Sequence, residues 1–153
     1  MSYEIKIFGL DILKEAMKKS PQTVYKELTS AIKTSVNIVR PIMGQEAPAK
    51  SGKLRRNIVG KSSGLTGTIG PDLDVTPYAW YVHEGTGPYI IRPRMKKALY
   101  WNTAPGGHPW KLVHHPGIKA NPFVSKTYDR IKEPVQLIFQ QAIKRISASL
   151  ATK

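Results

Sequence analysis

The sequence predicts an α+β fold, an antiparallel β-sheet meander packed against a long N-terminal helix and a C-terminal helix. Three observations predict it. Apolar residues recur at helical spacing near both ends of the chain, from Val24 to Val39 and from Phe123 to Ile146. The middle holds short apolar runs bounded by glycine and proline, the pattern of brief strands joined by turns. At 153 residues and 41% hydrophobic content, the chain is long enough to bury one core and too short to need two, so one domain over residues 1–153 is expected.

Taken in order, Tyr3, Ile5 and Ile7 alternate with Glu4 and Lys6, the period of a half-buried strand, and Gly9 ends it. Asp11 is placed to cap a short helix through Lys19. Ser20-Pro21 then offers an N-cap followed by proline at the first helical position, where the missing N–H costs nothing. Val24, Leu28, Ile32, Val36 and Val39 form one apolar stripe opposite Lys26, Lys33 and Asn37, until Pro41 disturbs the pattern. Gly44 to Gly52 reads as a loop. Leu54 to Gly60 and Gly64 to Gly70 read as a hairpin about Lys61-Ser62-Ser63. Asp72 to Pro77 is turn-rich, and Tyr78 to Val82 is a compact aromatic segment that fits either a strand or a helical turn. Tyr89 to Arg92 and Ala98 to Trp101 flank a basic turn, Pro93 to Lys97, and Trp110 to His114 offers a further strand after Pro105-Gly106-Gly107. From Pro122 onward, Phe123, Thr127, Ile131, Val135, Ile138 or Phe139, Ala142 and Ile146 mark the last helix, which Pro134 is expected to kink or split.

The formal charge of +14 is unevenly spread. Ala47 to Pro71 carries Lys50, Lys53, Arg55, Arg56 and Lys61 with no carboxylate. Gly85 to Tyr128 carries Arg92, Arg94, Lys96, Lys97, Lys111, Lys119 and Lys126, again with none. Such a surface suits nucleic acid, acidic protein neighbours or solvent. Tyr78, Trp80, Tyr81, Tyr89, Tyr100, Trp101 and Trp110 lie in or beside these windows. Aromatic rings among cations serve base stacking in single-strand binders, but rings at this spacing more often build cores and subunit interfaces. No apolar run approaches the roughly 20 residues of a spanning helix, and Met1 to Gly9 alternates where a signal peptide would be continuously apolar. A protein of the cytoplasm with no membrane partner is therefore expected.

Chemistry is hard to find in the chain. With no cysteine there is no disulfide, thiolate metal site or cysteine nucleophile. His83-Glu84 opens like a zinc-peptidase helix, but the second histidine of that motif is replaced by Gly87. His114-His115 puts at most one imidazole on each face of a strand, a weak metal set. A His83/His115 proton shuttle of ribonuclease type has nothing in the sequence to bring its members together. Ser51-Gly52-Lys53 lacks the spacing of a phosphate loop. No catalytic residue, metal ligand or cofactor site is expected, and no enzyme.

Three segments do carry a resemblance: Ala47-Pro48-Ala49-Lys50-Ser51-Gly52-Lys53-Leu54-Arg55-Arg56-Asn57-Ile58, Tyr78-Ala79-Trp80-Tyr81-Val82-His83-Glu84-Gly85-Thr86, and His115-Pro116-Gly117-Ile118-Lys119-Ala120-Asn121-Pro122-Phe123. In composition and order they resemble the small neck and tail-component proteins of long-tailed bacteriophages, the family of head-tail joining and tail-completion subunits. The likeness runs from about Val24 to the C-terminus. The chain departs from the family pattern in carrying His83 between Val82 and Glu84, where the family puts the acid directly after valine. The resemblance implies a structural virion protein, made in the host cytoplasm, that forms a homo-oligomeric ring, expected as a hexamer. Its implied partners are a head-side connector or stopper protein and a tail tube or tail terminator protein, with double-stranded DNA in the lumen. The candidate partner-facing or DNA-facing cations are Lys50, Lys53, Arg55, Arg56, Arg92, Arg94, Lys96 and Lys97. The candidate intersubunit contacts are Tyr78, Trp80, Tyr81 and Glu84. A basic nucleic-acid-binding module is the alternative.

Overall fold

The computed structural model describes residues 10–100 and 109–151. The strand expected over Tyr3 to Ile7 lies outside them, as do Trp101 and the Pro105-Gly106-Gly107 turn. In chain order the elements are α1 (Leu10–Lys19), α2 (Pro21–Glu46), α3 (Lys53–Arg56), β1 (Ile58–Ser63), β2 (Thr66–Pro71), α4 (Ala79–Glu84), β3 (Tyr89–Ile91), β4 (Val113–His115) and α5 (Phe123–Ala151). The class is α+β, and all strand pairing among the described residues is antiparallel. Among the described residues the strands fall into two separate two-stranded sheets, β1-β2 and β3-β4, in place of one continuous meander. After β2 the chain turns through Asp72 to Thr76 into α4, so among the described residues no third strand returns along the hairpin. Two compact units result: Met1–Ala79 with Pro122–Lys153, and Trp80–Asn121, which is inserted in the chain order of the first.

The larger unit is built on α2 and α5, which run antiparallel. Val24, Ala31, Val36, Val39 and Met43 of α2 are buried, as are Phe123, Val135, Ala142, Ile143 and Ile146 of α5. Fully burying one large apolar side chain contributes about 1.5–3 kcal/mol, so this seam supplies most of the unit's stability. Ala16 of α1 joins Val24 and Ile146 in the same cluster, with Leu13 and Leu28 packed against it. Ion pairs Glu27–Arg145 and Glu46–Arg130 tie the two helices at either end. Partly exposed pairs like these are worth roughly 0–1 kcal/mol, and they set the register of the helices more than their stability. The β1-β2 hairpin lies against α2 because Gly60 and Gly67 face it. A Cβ at either would fall 2.7 Å or 2.8 Å from a Val36 methyl.

Several local expectations are revised. Pro41 does not end α2, which continues to Glu46, so the loop begins only at Ala47. An interior proline costs about 3 kcal/mol through a lost hydrogen bond and a ring clash. Val39 and Met43, buried on either side of it, offset that cost. Pro134 likewise sits inside a single helix of 29 residues, next to buried Val135. Lys53 to Arg56 form a helical turn, where a strand was expected from Leu54, and the hairpin loop is Gly64-Leu65, not Lys61 to Ser63. Only Gly64 there takes a positive φ, 55°, as a type II′ turn requires at its first central residue. The open choice at Tyr78 to Val82 resolves as helix. The strand expected at Ala98 to Trp101 is reduced to one isolated bridge, Leu99 to Trp110. Ser20 does precede α2, but its hydroxyl meets that of Thr23 at 2.9 Å and caps no backbone amide.

Phe123 is only 1% exposed and begins α5 at the base of the seam. Phe123→Ala is expected to lower unfolding stability by about 3–5 kcal/mol, read as a fall in the urea midpoint with an unchanged slope.

Candidate functional site

The first segment of interest joins α2 to β1. Gly52 takes a left-handed conformation, φ 69°, immediately before α3, and a Cβ there would meet the Arg56 guanidinium at 2.8 Å. Leu54 is buried and fixes the turn to the core. The next residue, Arg55, folds back onto the end of α2, where its Nε donates to Ala47 O at 2.8 Å and its Nη2 to Gln45 O at 3.1 Å. The last carbonyls of a helix lack intrahelical donors, so Arg55 acts as their cap. Arg56 donates to Ser51 O at 3.4 Å, and Asn57 Nδ2 to Lys53 O at 2.8 Å. Lys50 and Lys53 are exposed. Of the four candidate cations in this segment, Arg55 therefore has a structural task inside the chain.

The second region is the smaller unit, where two of the three segments that looked separate in the sequence are joined. Thr86 and Ile118 form a two-way bridge, Thr86 N–H to Ile118 O at 2.9 Å and Ile118 N–H to Thr86 O at 3.1 Å. Asn121 N–H donates to Val82 O at 3.0 Å. Glycine makes this approach possible. Gly117, φ 92°, would with a Cβ stand 2.2 Å from Thr86 O, and Gly85, φ 78°, 2.7 Å from Ile118 O. Beside this junction the imidazole of His115 stacks on Tyr89, ring centroids 4.7 Å apart, and its Nδ1 accepts the Gly117 N–H at 3.0 Å. That bond identifies Nδ1 as the unprotonated nitrogen. His114 is exposed, as alternation along β4 demands.

The candidate contact residues divide. Trp80 and Tyr81 of α4 are 62% and 56% exposed, and Tyr78 just before the helix is exposed at 37%, while Ala79 between them is buried. Glu84 lies with its carboxylate 3.6 Å from His83 Nε2. Arg92, Arg94, Lys96 and Lys97 are all exposed on the irregular stretch between β3 and the Leu99–Trp110 bridge, with Met95 fully exposed among them. Among the described residues no three His, Asp or Glu side chains gather as a metal set, and no helix is long and apolar enough to cross a membrane.

Sequence reasoning passed over Arg40. It lies on the exposed side of α2, one residue before Pro41, and borders a recess with Arg55 and Arg56. Nothing in the helical pattern distinguishes it from Lys26 or Lys33, because only the folding back of α3 brings other guanidinium groups to it.

Gly117→Ala is expected to destabilise the smaller unit by more than about 1 kcal/mol and to raise amide hydrogen exchange at Thr86 and Ile118. Gly87→Ala, with open space around it, should leave both unchanged. Arg55→Ala removes two capping bonds and should cost roughly 1–2 kcal/mol in thermal or urea unfolding. Comparison of the chain with protein-family models, with curated proteins and with solved structures finds no match in any of the three.

Proposed function

We propose that this protein is a structural virion subunit of a tailed bacteriophage, forming a homo-oligomeric ring at the head-tail junction through which DNA passes. The observation that carries the reading is α4, a six-residue helix that turns Trp80 and Tyr81 to solvent while Ala79 is buried. Large exposed aromatics are the residues that supply most of the energy at subunit interfaces. The resemblance of the Gly52, Gly85 and Gly117 segments to neck and tail-component proteins supports the same reading. So does their conformation, since each of the three glycines takes a positive φ. In a ring these small surfaces repeat around the axis, and contacts too weak to hold two copies hold a closed set. A hexamer stacked between a head-side connector or stopper and a tail tube or terminator fits the expected partners. The work is presentation of complementary faces and needs no bond chemistry.

One observation favours a second reading, a basic nucleic-acid-binding module: Arg92, Arg94, Lys96 and Lys97 are exposed together on one irregular stretch. Light scattering on the purified protein, with negative-stain imaging of any large species, separates the two. The ring reading expects closed particles of defined symmetry, and Trp80→Ser/Tyr81→Ser should shift the mass to monomer without loss of helical content. A wild-type monomer that binds duplex DNA at micromolar or tighter affinity, with a steep salt slope, overturns it in favour of the module.

A further inference from the structure

We propose that the recess between the C-terminal end of α2 and α3 is a docking site for a carboxylate-bearing, partly apolar segment of a partner protein. The recess, about 430 Å³, lies wholly in the larger unit. Arg40, Arg55 and Arg56 contribute its charge, and Pro41, Gly44 and Ile58 its apolar lining. Among the described residues no carboxylate lines it.

The negative charge expected at this place has been neutralised. A helix C-terminus carries about half an elementary negative charge on its unpaired carbonyls, which would repel an anion. Here Arg55 caps two of them, Ala47 O and Gln45 O. The nearest acid in the sequence, Glu46, is held by Arg130. Arg55 thereby has two donors fixed on the backbone, which locks the plane of its guanidinium. Arg56 is held more weakly through Ser51 O. The Arg40 side chain makes no hydrogen bond or ion pair among the described residues, so its fork of donors is available. Its stem lies over the hairpin, where a Cβ on Gly60 would stand 3.7 Å from its Cδ.

The lining selects among anions. A guanidinium offers two parallel donors that match a planar carboxylate. A DNA duplex presents one phosphate charge per roughly 1.7 Å of axis on a convex surface and is met by a row of cations. Three arginines gathered around one concavity with an apolar lining suit a single acidic side chain with an apolar neighbour. The occupant is a different protein and not a second copy. With 24 Lys and Arg against 10 Asp and Glu, another copy of this chain has few carboxylates to offer. Of those acids, Glu15, Glu27 and Glu46 are already ion-paired and Asp72 holds the Asp74 amide, which leaves a second copy fewer still to offer.

The inference deepens the assembly reading by naming the chemistry of one partner, and its test is separate from the test of ring formation. A fluorescein-labelled peptide of alternating glutamate and leucine is titrated into the full-length protein by fluorescence anisotropy, against wild type, Arg40→Ala, Arg40→Lys and a control, Arg92→Ala. Arg40→Ala is expected to weaken peptide binding about tenfold or more, Arg40→Lys to recover part of the loss, and Arg92→Ala to change it little. Circular dichroism should show all three variants folded, since both arginines are exposed. Absence of peptide binding to wild type, or equal losses in Arg40→Ala and Arg92→Ala, overturns the proposal. So does a 20-base-pair DNA duplex whose binding depends on Arg40 in the same way, which assigns the recess to phosphate. A change in the protein's own mass on Arg40→Ala overturns it in favour of a second copy. A strict monomer that binds the peptide through Arg40 leaves the recess assignment standing while the ring reading fails.

Discussion

The antiparallel packing of α2 on α5 is the constraint that the larger unit depends on. Both helices contain a proline that on its own would break them, and both run through it because the residues around it are buried on the opposite helix. Local preference costs about 3 kcal/mol at each proline, while the seam between Val24 and Met43 on one side and Phe123 and Ile146 on the other offers several times that. Once α2 is carried past Pro41, its C-terminal carbonyls come out beside α3, and Arg55 is in reach to cap them. The hairpin then has a surface to lie on, provided that Gly60 and Gly67 leave room for Val36.

The smaller unit is organised by a different device. It has no large buried side chain of its own among the described residues, and its two ends meet through main-chain bonds at Thr86, Ile118, Val82 and Asn121. Backbone bonds at this density need close approach, and close approach needs residues without a Cβ, which is what Gly85 and Gly117 provide. With the backbone doing the joining, the large side chains Trp80, Tyr81, Tyr89 and Ile90 are left at least partly in solvent. Exposed aromatics and an apolar-poor interior are thus two aspects of one economy, and together they give a unit whose side chains face outward toward whatever the protein meets.

Much of this was legible in the sequence and the remainder fails for identifiable reasons. The α2 and α5 stripes read correctly because periodicity reports burial directly, as Val24, Val36, Val39, Phe123 and Ile146 show. The loop start expected at Gly44 gives way to a helix that runs on to Glu46, because tertiary packing outweighs local preference, and the hairpin register is hidden because Gly60 looks like a strand end when it is a point of contact with Val36. The β-region was read as one sheet since turns and strands alternate evenly, whereas the break after β2 is set by hydrogen bonds of Asp72 to Asn57 and of Thr76 to Asp72 that leave no periodic trace. At the candidate site the segments around Gly52, Gly85 and Gly117 were visible as glycine-dependent motifs. The joining of the last two across 32 residues, and the meeting of Arg40 with Arg55 and Arg56, were not, because contact between distant residues has no signature in a single sequence.

The pairs that tie α2 to α5 link residues 84 and 118 positions apart, with the whole smaller unit lying in the chain between them. Folding must therefore close a long loop before its main seam yields any return, and topologies of this kind fold slowly compared with those built from neighbouring contacts. The entropy of that closure grows only with the logarithm of loop length, about 0.6 kcal/mol for each doubling. The segment between Ala79 and Phe123 is accordingly the stretch of chain where length is cheapest to vary. A change of length there leaves the helical seam as it is.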